Sequence, residues 1–211
     1  MVELFKRCLN AEYIHTENRT DYVVEVEDDI IYIFFEWSDD LNDWRLNLNF
    51  PAKAYKHSGA LWFVHRGFLS AWKDVRGDVE MQVGEILALY PKINKIRCVG
   101  YSHGAAVALL CTEDMEYLYG DKLDVQGFGF GCPRTVWGFA PRTVKARLAR
   151  FTAVRNKGDI VTHVPPAVLG YRHFGLIKIG KRGKYDPITA HTDKAYKKEL
   201  KCYKYYERRK R

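Results

Sequence analysis

Serine is scarce in this chain, and long apolar runs are missing. Only four serines occur among 211 residues, Ser38, Ser58, Ser70 and Ser102, so serine chemistry has few places to reside. No stretch approaches the roughly 18 continuous apolar residues of a membrane span. The five cysteines are odd in number and lack the paired spacing of a zinc site or a disulfide framework. Cys98 and Cys111 fall in apolar runs and read as small buried hydrophobes. Residues 1–7 show no signal-peptide apolar core. With reduced thiols, this predicts a cytoplasmic protein. There is no internal repeat, low-complexity tract or Pro/Gly/Ser-rich linker, so the whole of 1–211 reads as one domain.

What is present is an ordinary globular composition, 47% hydrophobic and 28% charged. The net charge of +8 is unevenly placed. From residue 194 to the end, nine Lys/Arg face two Glu, which leaves the body nearly neutral. Read as a helix from about residue 191, this segment puts Lys197, Lys201, Lys204 and Arg208 on one stripe and Tyr196, Leu200 and Tyr203 on another. Such a helix docks by its apolar stripe and offers its basic stripe to anionic lipid headgroups. No other basic signal appears, so nucleic acid is not an expected partner.

The pattern of strands and helices is alternating. Residues 22–26 and 30–35 read as strands, 65–90 as a helix, 124–131 as a strand, 151–155 as a short strand and 170–180 as strand-like. Alternation of this kind predicts an α/β fold, a mostly parallel central sheet with helices on both faces. The glycines of residues 127–131 lack phosphate-loop spacing and mark a closely packed strand instead.

Chemistry gathers at Gly100-Tyr101-Ser102-His103-Gly104, a G-x-S-x-G motif. A strand-like run, 95–99, precedes it, and a small-residue helical run, 105–110, follows. This is the context of a nucleophile elbow, a sharp strand-to-helix turn that presents a serine oxygen. A serine hydroxyl needs a base, and the base needs a carboxylate to orient it. His191 follows a loop at the mouth of the last helix and is the most plausible base. His163 is only four residues past a candidate acid, and His173 lies inside a strand-like run. Asp159, after a strand and a glycine, is favoured as the acid, with Asp186 as its rival. The His103 backbone N–H stands where an oxyanion donor is needed.

From about residue 22 to about 205 the chain resembles the class 3, fungal-type lipases of the α/β-hydrolase fold. The resemblance is carried by several short motifs in order. They are Val64-His65-Arg66-Gly67-Phe68, the elbow, Phe130-Gly131-Cys132-Pro133-Arg134, Asn156 through Asp159 to Pro165-Pro166, Tyr171 through Gly175, and His191 with Tyr196. The resemblance implies Ser102 as nucleophile, His191 as base and Asp159 as acid, with structural roles for His65 and His173. It also implies Ser38 as an oxyanion-hole residue, although Glu36 and Trp37 stand where the family commonly has Arg and Gly. Tyr101 and His103 replace the His and Leu often found in the family's elbow. The implied activity is that of a lipase hydrolysing acylglycerols through an acyl-enzyme, with no metal or cofactor and a lipid or small ester as substrate. Leu41, Trp44, Leu46 and Leu48 occupy the region where relatives carry a lid. The alternatives are a short-chain carboxylesterase, a phospholipid acyl hydrolase and a non-catalytic lipid-binding module.

Overall fold

A computed structural model of the chain describes residues 1–15, 20–37 and 51–209, with side chains through 203. Helix α1 (Val2–Asn10) leads into strands β1 (Tyr22–Glu27) and β2 (Ile30–Phe35). The hairpin β3 (Ala52–His57) and β4 (Ala60–His65) comes next, then the long helix α2 (Arg66–Leu89) and β5 (Lys95–Tyr101). Helix α3 (His103–Tyr119), β6 (Asp124–Phe130), β7 (Val136–Trp137), α4 (Arg142–Leu148) and β8 (Phe151–Asn156) follow. Strands β9 (Tyr171–Arg172) and β10 (Leu176–Ile179) precede the last helix, α5 (Asp193–Arg209).

Six strands form the central sheet in the order β1-β2-β5-β6-β8-β10. Only β1 pairs antiparallel; the other neighbours are parallel. Such strands bury both faces and read as apolar runs. In β2 (Ile-Ile-Tyr-Ile-Phe-Phe) the side chains of Ile31, Ile33, Phe34 and Phe35 are fully buried. One face is covered by α2, α3 and α4, the other by α1 and α5. On α2, Leu69, Trp72, Val75, Val79 and Val83 recur at helical spacing and are buried. On α5, Tyr196 and Leu200 are buried while Lys201 points to solvent, so this helix docks by the expected stripe. The side chains of Lys204 and Arg208 lie outside the described residues.

Two features depart from the sequence reading. A second, antiparallel sheet of order β3-β4-β7-β9 stands beside the first. Its hairpin turns at Ser58 and Gly59, both at positive φ. The strand-like stretch 170–180 is two strands, β9 in this sheet and β10 in the central one. The break is at Gly175, φ 57°, where a Cβ would lie 1.8 Å from the Phe151 carbonyl oxygen.

Helix α3 is buried along most of its length, including Thr112, Glu113 and Asp114. Carboxylates are tolerated there because each is partnered. Asp114 Oδ2 accepts from Tyr55 Oη and Trp72 Nε1, both at 2.6 Å. Glu113 accepts from Ser58 Oγ at 2.9 Å and Arg147 Nε at 2.6 Å. These bonds tie β3, α2 and α4 to α3, the helix that begins directly after Ser102.

Candidate active site

Ser102 sits between β5 and α3 at φ 54°, ψ −120°. A non-glycine residue held there is strained, and such strain is what a nucleophile elbow stores. The turn is possible because two side chains are missing. A Cβ on Gly100 would lie 2.1 Å from the Gly104 carbonyl oxygen. A Cβ on Gly104 would lie 2.4 Å from the Phe35 carbonyl oxygen, so the end of β2 runs directly against the start of α3.

Three distant residues meet at this turn. His191 Nε2 lies 2.9 Å from Ser102 Oγ, and His191 Nδ1 lies 2.9 Å from Asp159 Oδ2. All three side chains are nearly inaccessible, at 1%, 2% and 0% exposure for Ser102, His191 and Asp159. Exclusion of water strengthens such hydrogen bonds. Asp159 also accepts from Val161 N at 2.9 Å and Tyr196 Oη at 2.6 Å. Asp186 is elsewhere, exposed, with its Oδ1 accepting from Ile188 N and Thr189 N at the loop that carries His191. His163 Nδ1 donates to the Asp159 carbonyl at 2.8 Å and His173 Nε2 to the Thr162 carbonyl at 2.7 Å. His103 opens α3, so its backbone N–H stands beside the nucleophile, and its ring packs edge-on against Phe68. Ser38 lies outside the described residues, as do Leu41, Trp44, Leu46 and Leu48. The last described residue before Ser38, Trp37, packs its ring near Tyr101.

Sequence reasoning did not find the support around His191. The Tyr101 ring stacks on the imidazole with centroids 5.1 Å apart, and its hydroxyl donates to the His191 carbonyl. Asn156 Nδ2 holds the Ala190 carbonyl at 2.9 Å. Tyr196 accepts from Asn156 N at 3.0 Å while donating to Asp159. Burial and the Asp159 charge raise the Tyr196 phenol well above its ordinary value, so it stays a donor. The sequence signal was Tyr196 itself, five residues after His191 on the apolar stripe. Tyr196→Phe should lower kcat about tenfold with little change in KM, because Asp159 keeps its other two donors. An unchanged kcat would show that the third donor is irrelevant to the site.

Three other histidines link folding to pH. Burial is the main force pushing His65, His103 and His173 down to about 4 from 6.5. Between these values the unfolded chain binds more protons than the folded one. The stability they confer is therefore present above pH 6.5 and is lost as pH falls toward 4. Burial raises the Asp114 carboxyl well above its ordinary value, which offsets part of the loss in acid. Each histidine shift is worth on the order of 3 kcal/mol, so the denaturation midpoint should drop across this interval. Denaturant titrations at stepped pH check this, and a midpoint that stays flat or rises in acid contradicts it.

The family described as lipase (class 3) matches residues 32–169. The chain belongs to the class 3 lipase family, and its fold is that of the α/β-hydrolases. It is 32% identical over 150 residues to a lipase of Rhizomucor miehei, a match covering 69% of this chain and 40% of the relative. To the secreted mono- and diacylglycerol lipase 1 of Fusarium solani it is 30% identical over 162 residues, covering 76% and 44%. Among solved structures, lipase II from Rhizopus niveus superposes with a TM-score of 0.68 at 28% identity, over 79% of this chain and 64% of that one. A triacylglycerol lipase described as having a serine protease triad as its catalytic centre superposes with a TM-score of 0.68 at 27% identity, over 81% and 66%. The chain spans about two fifths of the length of the curated relatives it matches first. Among the described residues no helix is long and apolar enough to cross a membrane.

Proposed function

We propose that this protein is a serine ester hydrolase acting on acylglycerols through an acyl-enzyme. The observation that carries the reading is the unbroken hydrogen-bonded line from Ser102 Oγ through the His191 ring to the Asp159 carboxylate. Ser102 attacks the acyl carbonyl while His191 Nε2 takes its proton. His191 returns that proton to the leaving alcohol, and water then repeats the sequence on the acyl-enzyme. Asp159, held by Val161 N and Tyr196 Oη, fixes Nδ1 as the protonated nitrogen and balances the imidazolium. The backbone N–H of His103, with Ser38, receives the oxyanion. The chemistry calls on no metal or cofactor.

Acylglycerol as substrate is supported by the relatives, one of which is named a mono- and diacylglycerol lipase. Helix α1, at the start of the chain, packs against α5 and β5, which supports residues 1–211 working as one domain. The basic stripe read from the sequence of α5, of which Lys201 is exposed, supports a peripheral attraction to anionic membranes. Five free cysteines support a reducing, cytoplasmic setting, although the Fusarium relative is described as secreted.

A fluorophosphonate probe tests the reading together with hydrolysis of emulsified acylglycerols. The expected result is labelling of Ser102 and release of fatty acid. A folded protein that takes no label and releases no fatty acid overturns the proposal.

A further inference from the structure

A cavity of about 630 Å³ opens beside the triad's acid loop, walled by Arg155, Lys157, His163, Lys178 and Arg182. Among the described residues no Asp or Glu lines it, and none of Ser102, Asp159 or His191 does. Gly158 and Ile160, which bracket Asp159, form part of the wall.

The placement of charge here is costly to an empty protein. In the parallel pair β8/β10, Lys178 is the register partner of Arg155. Like charges set side by side on neighbouring strands destabilise a sheet. Lys157, two residues beyond Arg155 and just past the end of β8, lines the same cavity. Arg155 Nε is buried without a hydrogen-bond partner. Among the described residues none of Arg155, Lys157, Lys178 and Arg182 takes part in an ion pair. A neighbouring acid, Glu199, lines an adjoining groove that shares Lys157 and Lys178, and is already engaged by Lys184 and Tyr185. Burial, and beyond it the cations of Arg155 and Arg134, hold His163 below its ordinary value.

A concave wall of one sign focuses the field and concentrates counter-ions. An anion in the cavity would satisfy the Arg155 donor and separate the charges that face one another across β8 and β10. The guanidinium fork matches phosphate geometry, and lysines complete the charge. From these features we propose that the cavity is a binding site for a phosphomonoester group, carried on a lipid headgroup or on a soluble molecule. The site stands apart from the ester chemistry and does not depend on it.

The test uses the full chain and two kinds of probe. Calorimetry with inorganic phosphate and pyrophosphate reads the soluble ligand. Sedimentation with phosphatidylcholine vesicles carrying phosphatidic acid, against vesicles of equal charge carrying phosphatidylserine, reads the headgroup. Saturable binding is expected, weakened about tenfold for each charge-assisted hydrogen bond removed by Arg155→Gln and Lys178→Gln. Lys178→Gln with Arg182→Gln, both at exposed positions, gives the same reading should Arg155→Gln fail to fold. Preference for phosphatidic acid, competed by pyrophosphate, assigns the site to a lipid headgroup. Pyrophosphate binding with no preference between the vesicles assigns it to a soluble phosphate. Absence of binding to either probe, or binding that the variants leave unchanged, overturns the proposal. Turnover of p-nitrophenyl butyrate by the same variants should persist, which separates this site from the triad.

Discussion

Replacing Ser102 with alanine is expected to cut ester turnover by roughly 10⁴–10⁶-fold and to abolish fluorophosphonate labelling. The size follows from the mechanism: without Oγ no acyl-enzyme forms, and only binding and oxyanion stabilisation remain. Stability should fall by no more than about 1–3 kcal/mol, the cost of losing the buried bond to His191, because the backbone turn stays in place. His191→Ala should cost a comparable factor. The double variant should be little worse than either single one, since the pair acts as a unit. Kinetics on p-nitrophenyl butyrate with melting curves for all three proteins decide the matter. A Ser102→Ala protein that keeps more than about a tenth of its activity, or losses that simply multiply, would show that the line of side chains is not the catalytic apparatus.

Gly100→Ala is expected to be among the most damaging single methyl groups in the molecule. The added Cβ would run into the Gly104–Ala105 peptide, at 2.1 Å from the Gly104 oxygen, 2.3 Å from its carbonyl carbon and 2.6 Å from the Ala105 nitrogen. None of these is the movable end of a side chain. Relief requires moving the first turn of α3 away from β5, which disturbs the packing of the Ala105–Leu110 face against the central sheet. A loss of about 4 kcal/mol or more is expected, at the exceptional end for one substitution. Gly77→Ala is the contrasting control. It lies inside α2, and its Cβ would meet nothing within 4 Å. There alanine should stabilise by about 0.5–1 kcal/mol. Chemical denaturation of the two variants checks both signs at once. Equal midpoints would mean that the close approach at the elbow is not a constraint.

The legible parts of this protein were the local ones. The elbow could be read because strand, turn and helix are adjacent in the chain, and each has its own periodicity or residue signature. The parallel strands could be read as apolar runs for the same reason. The second sheet could not. Its strands β7 and β9 are two residues each, and their pairing across the chain leaves no periodic trace. Nor could the break at Gly175, since what forbids a side chain there is the carbonyl of Phe151, 24 residues earlier.

At the site the same division holds. Spacing favoured His191 and left Asp159 and Asp186 open, and the family motifs chose Asp159. In the fold, Asp159 lies against the His191 ring while Asp186 turns back to its own loop. Tyr101, Asn156 and Tyr196 as supports of the base were visible only once α5 had packed onto the sheet.

The amino-acid order alone settled the strand and helix on either side of the elbow and which serine stands in the sharp turn, because those outcomes depend on neighbours within a few residues. The tertiary structure alone decided which side chains brace His191 and Asp159 and where cations crowd together. Those outcomes depend on side chains brought within about 3 Å from positions scores of residues apart, which is a property of packing and not of order.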